Sequence, residues 1–208
     1  MGFKGKVLPG FFAVVLLYGS IACAQDYGRS RITVFVNDSV GVKPAVLKHA
    51  QAEAGRLLGT AGIAIHWVNC ADTSDCRRPP RADEFELHIV AKGTTRSDFV
   101  FGEAFLGPDG QGQYADVFFN RVREASGRLN IGQLLGAVTA HELGHLLLGS
   151  HAHSLVGIME PVWERASLLK VSMGSLTFTT EQSQSIRARL ANQRLTVTSV
   201  QDGPSGLQ

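Results

Sequence analysis

Residues 131–161 read IGQLLGAVTAHELGHLLLGSHAHSLVGIMEP, and the local structure of this stretch decides how the rest of the chain is understood. Asn130 precedes the apolar run with Gln133 three residues on, the pattern of a helix N-terminus, and Gly149 supplies a stop. A helix is therefore predicted over Ile131–Leu148, with Ile131, Leu134, Leu135, Val138 and Leu146 on its buried side. It carries His141-Glu142-Leu143-Gly144-His145. Side chains four apart stack on one helical face, so both imidazoles can converge on one metal ion. Glu142 lies about 100° round, within reach of a metal-held water without ligating. Zinc suits this donor set: it lowers the pKa of bound water to about 7, and the carboxylate takes the proton as a carbonyl carbon is attacked. With seven histidines and nine glutamates in 208 residues, such a pattern arises by chance about 1% of the time. Burying the trio without a metal would cost several kcal/mol.

Composition leaves room for this chemistry and excludes other classes. The chain is 44% hydrophobic and 18% charged, enough for one buried core and too short for two comfortable ones. Twenty Lys and Arg stand against 18 Asp and Glu, so no bulk field asks for nucleic acid or an anionic membrane. Lys4 and Lys6 precede the apolar run Phe11–Tyr18 and the small residues Ala22-Cys23-Ala24. Residues 1–24 are read as a secretory signal, the run being far short of the roughly 20 residues a spanning helix needs. A lipoprotein signal acylated at Cys23 is the weaker alternative, because Ser20 stands where a large aliphatic residue is usual. Removing the signal leaves a formally neutral chain, secreted or periplasmic, with no membrane attachment and a monomer expected. It also leaves Cys70 and Cys76 as an even pair in an oxidising compartment, which predicts a disulfide over a half zinc site.

From residue 31 the apolar period alternates between two and three to four, which predicts mixed α and β structure in one domain over residues 25–201. Arg31–Asn37 reads as a strand, Pro44–Leu58 as a helix with proline first and Gly59 last, and Ile63–Val68 and Phe85–Ala91 as further strands. Strand, helix, strand with short connections predicts a crossover between parallel strands. Phe99–Leu106 and Tyr114–Asn120 flank a glycine-rich turn, predicting a hairpin or a pair of edge strands. Thr179 with Gln182 has capping-box spacing and opens a last helix over 179–193; residues 202–208 are read as a flexible tail. His49, His66 and His88 sit in the first helix and in strands as packed or exposed side chains.

The segment beyond the helix narrows the reading. No glutamate stands about twenty residues on in a clear second helix, Glu160 and Glu164 qualifying by distance alone; instead His151 and His153 come directly after Gly149, and then Gly157-Ile158-Met159-Glu160-Pro161. Here the sequence resembles the metzincin clan of zinc peptidases, whose H-E-x-x-H-x-x-G-x-x-H stretch takes a third histidine from the loop and is followed by a methionine turn. In the matrixin branch the methionine lies eighteen residues beyond the first histidine, as Met159 does beyond His141. The glycine is displaced by one, with Leu148 where the clan has it. Ungapped counting makes His151 the third ligand, whereas a slipped loop makes it His153, and a chain leaving the helix one residue later favours the longer return.

The resemblance implies a small zincin domain: a twisted, mostly parallel sheet with an antiparallel edge strand, an active-site helix and a C-terminal helix. It implies one catalytic zinc ion on His141, His145 and His153 or His151, with Glu142 as general base, Met159 and Gly149 as structural supports, and peptide or protein as substrate. By the same analogy the edge strand binds an extended peptide by strand addition. The clan's cysteine-switch motif is missing, as is a tyrosine just after Met159. A non-catalytic or effector zinc protein on this fold, and a zinc amidase acting on non-peptide amides, are the competing expectations.

Overall fold

Five strands form one sheet in the order β2-β1-β3-β5-β4, seen in a computed structural model that describes residues 1–2, 30–73, 75–93 and 100–201. Apart from residues 1–2, the signal reading falls outside these residues, as does the tail reading. Strand β1 (Ser30–Asp38) leads through α1 (Pro44–Thr60) to β2 (Ile63–Asn69), and β1 and β2 pair in parallel, as the strand-helix-strand pattern predicts. β3 (Glu84–Val90) pairs in parallel with β1 on its other side and with β5 (Tyr114–Phe118) beyond. β4 (Gly102–Phe105) closes the edge antiparallel to β5, from Gly102 opposite Val117 to Phe105 opposite Tyr114. The architecture is mixed α/β, with a mostly parallel sheet and one antiparallel edge strand.

Period-two alternation sends Ile32, Val34, Val36, Leu87, Ile89, Ala115 and Val117 into a core shared with the helices. α3 (Ile131–Leu148) lies in that core and departs from the predicted one-sided burial: Gly132, Leu134 to Ala140 and Glu142 to Leu147 are all buried. An apolar helix with no polar stripe has to be enclosed all round. Gly132 and Gly136 let α1 approach it, since a Cβ at Gly136 would stand 2.5 Å from the Ala50 carbonyl oxygen.

Three predictions need correcting. Tyr114–Asn120 is a strand only to Phe118; Phe119–Ser126 is helix α2, whose Val122 and Ser126 are buried one turn apart. The first edge segment is Gly102–Phe105, shorter than Phe99–Leu106, with Phe99 outside the described residues. The final helix, α5, spans Thr180–Gln201, opened by reciprocal bonds from Gln182 N–H to Thr179 Oγ1 (3.2 Å) and from Thr179 N–H to Gln182 Oε1 (2.9 Å). Between α3 and α5 the short helix α4 (Arg165–Ser172) covers a segment with no readable sequence pattern. Cys70 and Cys76 are joined in a disulfide with Cα atoms 5.6 Å apart, closing the loop after β2. Among the described residues no helix is long and apolar enough to cross a membrane.

Candidate active site

The site is built on the last two turns of α3. Asn130 caps the helix by accepting from the Gln133 N–H at 3.1 Å, and at the other end Gly149 (φ 64°, ψ 34°) turns the chain left-handed while its N–H reaches the His145 carbonyl at 2.9 Å. A residue with a Cβ is strained in that conformation. The guanidinium of Arg189, on α5, lies where such a Cβ would go and donates to the Gly110 carbonyl at 2.6 Å, so α5, the end of α3 and the β4–β5 turn meet at one point. A second tie from α5, Gln182 Nε2 to Ser154 Oγ at 3.0 Å, secures the loop beyond.

Both histidines of the helix are oriented by carbonyl groups. His141 Nδ1 lies 2.6 Å from the Ile158 carbonyl and His145 Nδ1 lies 2.8 Å from that of Ser150. A carbonyl only accepts, so each Nδ1 carries the proton and each Nε2 is a bare lone pair when the ring is neutral. Burial, then repulsion from the neighbouring imidazoles, pushes the pKa of His141 down to about 3; His145 is also held below its ordinary value, first by burial. The rings are therefore neutral near pH 7, yet the two Nε2 atoms face each other at 3.1 Å. Two facing acceptors repel unless they share a cation. Tetrahedral zinc with Zn–N of 2.0–2.1 Å would set them about 3.3 Å apart, so these residues fit that ion.

His153 completes a group of three whose ligand atoms lie within 4.8 Å of one another. Its ring is 4.8 Å from that of His145 at 87° and 5.5 Å from that of His141 at 28°. His151 lines the same cleft but falls outside the group, its ring 6.1 Å from that of His145. His49 and His66 are exposed, and His88 faces Glu86 and Asp116 at 3.3 Å each, so none of these joins the site.

Glu142 is 5% exposed, on the side of α3 facing β4. Burial, followed by the charges of Glu103 and Asp116, pushes its pKa up to about 8. A cation beside it acts in the opposite direction. Beneath the helix, Met159 is fully buried, and a Cβ at Gly144 would come within 2.7 Å of its sulfur. The turn that carries it is set by Gly157 (φ 85°), by Ile158 N–H to the Thr177 carbonyl and by Ser154 N–H to the Met159 carbonyl, both 2.9 Å. One carbonyl of this turn holds His141, which ties the methionine turn to the first histidine.

The cleft over these groups encloses about 200 Å³ between β4 (Gly102 to Ala104), α3 and the Glu160–Trp163 segment. Three of its features escaped the sequence reading. Trp163 is 7% exposed and stands edge-on to His141 at 5.7 Å, with an Nε1–H that is buried and has no partner among the described residues. Glu160 is turned toward Ser167 and Lys170 on α4. Gly102 abuts the carboxylate of Glu142. A lone tryptophan or glycine outside any periodic segment gives no local signal of its neighbours.

The sequence matches no protein-family model, and no curated protein matches it. Among solved structures the chain is similar to archaemetzincin from Methanopyrus kandleri, at 17% identity and a TM-score of 0.49, over 81% of this chain and 99% of that one. It is also similar to a zinc-dependent peptidase from Methanocorpusculum labreanum strain Z (16% identity, TM-score 0.49, 74% and 99% covered) and to myroilysin (16%, 0.30, 74% and 71%). At such identities and scores the chemistry has to be argued from the site itself.

Proposed function

We propose that this chain is a zinc-dependent endopeptidase. The observation that carries the reading is the pair of unprotonated Nε2 atoms facing each other at 3.1 Å beside a buried carboxylate. His141, His145 and His153 would hold one zinc ion. When bound, the ion supplies Lewis acidity that acidifies water and polarises a carbonyl. The remaining work falls to the chain. Glu142, at the cleft wall, accepts the proton of the attacking water on a carboxylate oxygen and returns it to the leaving amine nitrogen. Its enclosure between α3 and β4 keeps that carboxylate from swinging into solvent. Ile158 and Ser150 fix the tautomers of the first two histidines, and Met159 and Gly149 hold the turn and the loop that deliver them. β4, the edge strand beside the cleft, has no strand on its outer side among the described residues and could take an extended peptide there.

On this reading residues 1–24 are a cleaved export signal, and the mature monomer works in the periplasm or the medium. The Cys70–Cys76 disulfide supports an oxidising location. The test has two steps. Metal analysis of the purified chain is expected to give about one zinc per molecule, lost in His141→Ala and His145→Ala. Zinc affinity is expected to fall by at least about 100-fold in His153→Ala and to stay within a few-fold in His151→Ala. The opposite result for the last two would overturn His153 as third ligand. Glu142→Gln is expected to keep the metal and to lower cleavage of a peptide library by about 100- to 10,000-fold. A zinc-loaded wild type that cleaves no peptide would overturn the peptidase reading in favour of a binding protein or an amidase.

A further inference from the structure

The position opposite Glu142 on the edge strand is a glycine, and the carboxylate occupies the space a side chain would take. A Cβ on Gly102 would stand 2.6 Å from Glu142 Oε1, 2.7 Å from Glu142 Cγ and 2.6 Å from the Asp116 carbonyl oxygen of β5. Non-bonded heavy atoms settle at about 3.5–4.0 Å, so all three separations are too short. Backbone conformation does not explain the glycine, because Gly102 is not among the residues with positive φ. Nor does a general need for glycine along this strand, since Ala104, buried two residues on, carries a methyl. What distinguishes position 102 is the carboxylate against it.

We infer that Gly102 is a positioning residue: by lacking a side chain it lets the Glu142 carboxylate lie against the edge strand. The base and the strand that would receive the peptide are thereby fixed relative to each other. The catalytic half of this inference rests on the proposed role of Glu142, whereas the steric half does not. Two obstacles face a methyl group at 102, the Glu142 side chain and the Asp116 carbonyl. They separate experimentally, because cutting Glu142 back to alanine removes both of the side-chain atoms that stand too close and leaves the Asp116 carbonyl.

The test compares wild type, Gly102→Ala, Glu142→Ala and the double variant, all as full chains loaded with zinc. Gly102→Ala is expected to lower Tm by about 3–10 °C, the range of an overpacked core in a domain of this size, and by less than half as much when Glu142 has already been cut back to alanine. Zinc content stays at about one per chain. On a library peptide, kcat falls about 100-fold while KM stays within about twofold, the pattern of a displaced base rather than a disordered cleft. An equal Tm loss in both backgrounds would overturn the inference by assigning the whole cost to Asp116. If Gly102→Ala alone fails to fold, recovery of folded protein in the double variant supports the inference and failure to recover overturns it. If wild type cleaves no peptide, the peptidase reading fails while the Tm comparison still decides the steric claim.

Discussion

His141 and Glu142 are adjacent in sequence and are pushed in opposite directions by the same burial, which gives the metal-free protein an unusual pH response. His141 binds its proton with a pKa of about 3 when folded against 6.5 as a free side chain, so from pH 6.5 down to 3 the unfolded chain binds more protons and acid destabilises the fold. Glu142 is reversed: its folded value of about 8 exceeds the ordinary 4.5, so from pH 4.5 up to 8 the folded chain binds more protons and base destabilises it. The two effects offset each other between about 4.5 and 6.5, and each alone has a slope of up to about 1.4 kcal/mol per pH unit. Thermal unfolding of chelated protein across pH is therefore expected to show a plateau in that window with declines on both sides. Glu142→Gln is expected to remove the alkaline decline and with it the offset, so that stability climbs from about pH 3 to 6.5 and then levels off; a decline above 6.5 that survives it would assign that limb to another group. The residue pair itself was plain in the sequence. Which loop histidine joins the pair was not, because two histidines two apart differ only in where the chain turns, and that turn is held from afar, by Gln182 on Ser154 and by the Thr177 carbonyl on the Ile158 N–H.

At the scale of elements, α3 was legible because its ends carry strong signals: Asn130 and Gln133 at one, Gly149 at the other. Its burial on nearly every side was less so, since periodicity reports one face and only Ile131, Gln133, His141 and Leu148 of α3 keep partial exposure. The contact with α1 depends on glycines whose role no pattern reveals. Gly136→Ala places a methyl 2.5 Å from the Ala50 carbonyl and 2.7 Å from Glu53 Cβ, neither a flexible end, and is expected to destabilise by about 1–3 kcal/mol despite the gain in helix propensity. Gly59→Ala in α1, where nothing lies within 4 Å of the new methyl, is expected to be neutral or stabilising by up to about 1 kcal/mol. Chemical denaturation of both variants checks the contrast. α2 was hidden by following a strand without a break, though Phe118, Val122 and Ser126 are buried at helical spacing. α4 was hidden for the reverse reason: it buries Ser167 and Val171 while exposing Leu169 and, just beyond its end, Met173. Hydrophobic pattern points the wrong way there, because Ser167 is inside to hold Glu160.

For the whole molecule, the alternation of strands and helix gave the parallel β1–β2 unit directly, and the glycine-rich turn gave the antiparallel edge pair. The order β2-β1-β3-β5-β4 lies beyond local reasoning, since the insertion of β5 between β3 and the edge is a pairing between segments distant in sequence. The clasp of Arg189 over Gly149, with Gln182 on Ser154, makes the histidine loop depend on the last helix. A chain ending at residue 193 keeps both ties and the buried Ile186 and Leu190; one ending at residue 181 loses all four while retaining every proposed zinc ligand. The longer form is expected to hold zinc as the full chain does and the shorter to release it to a weak chelator, measured by competition. That dependence has a direction in time. Synthesis proceeds from the amino end at about 5–20 residues per second, so the proposed ligands emerge seconds before the helix that clamps their loop. The nascent chain thus has the proposed metal-binding residues in hand before the geometry that would make them dangerous, and a hydrolytic centre would be completed only once the clamping helix has been made.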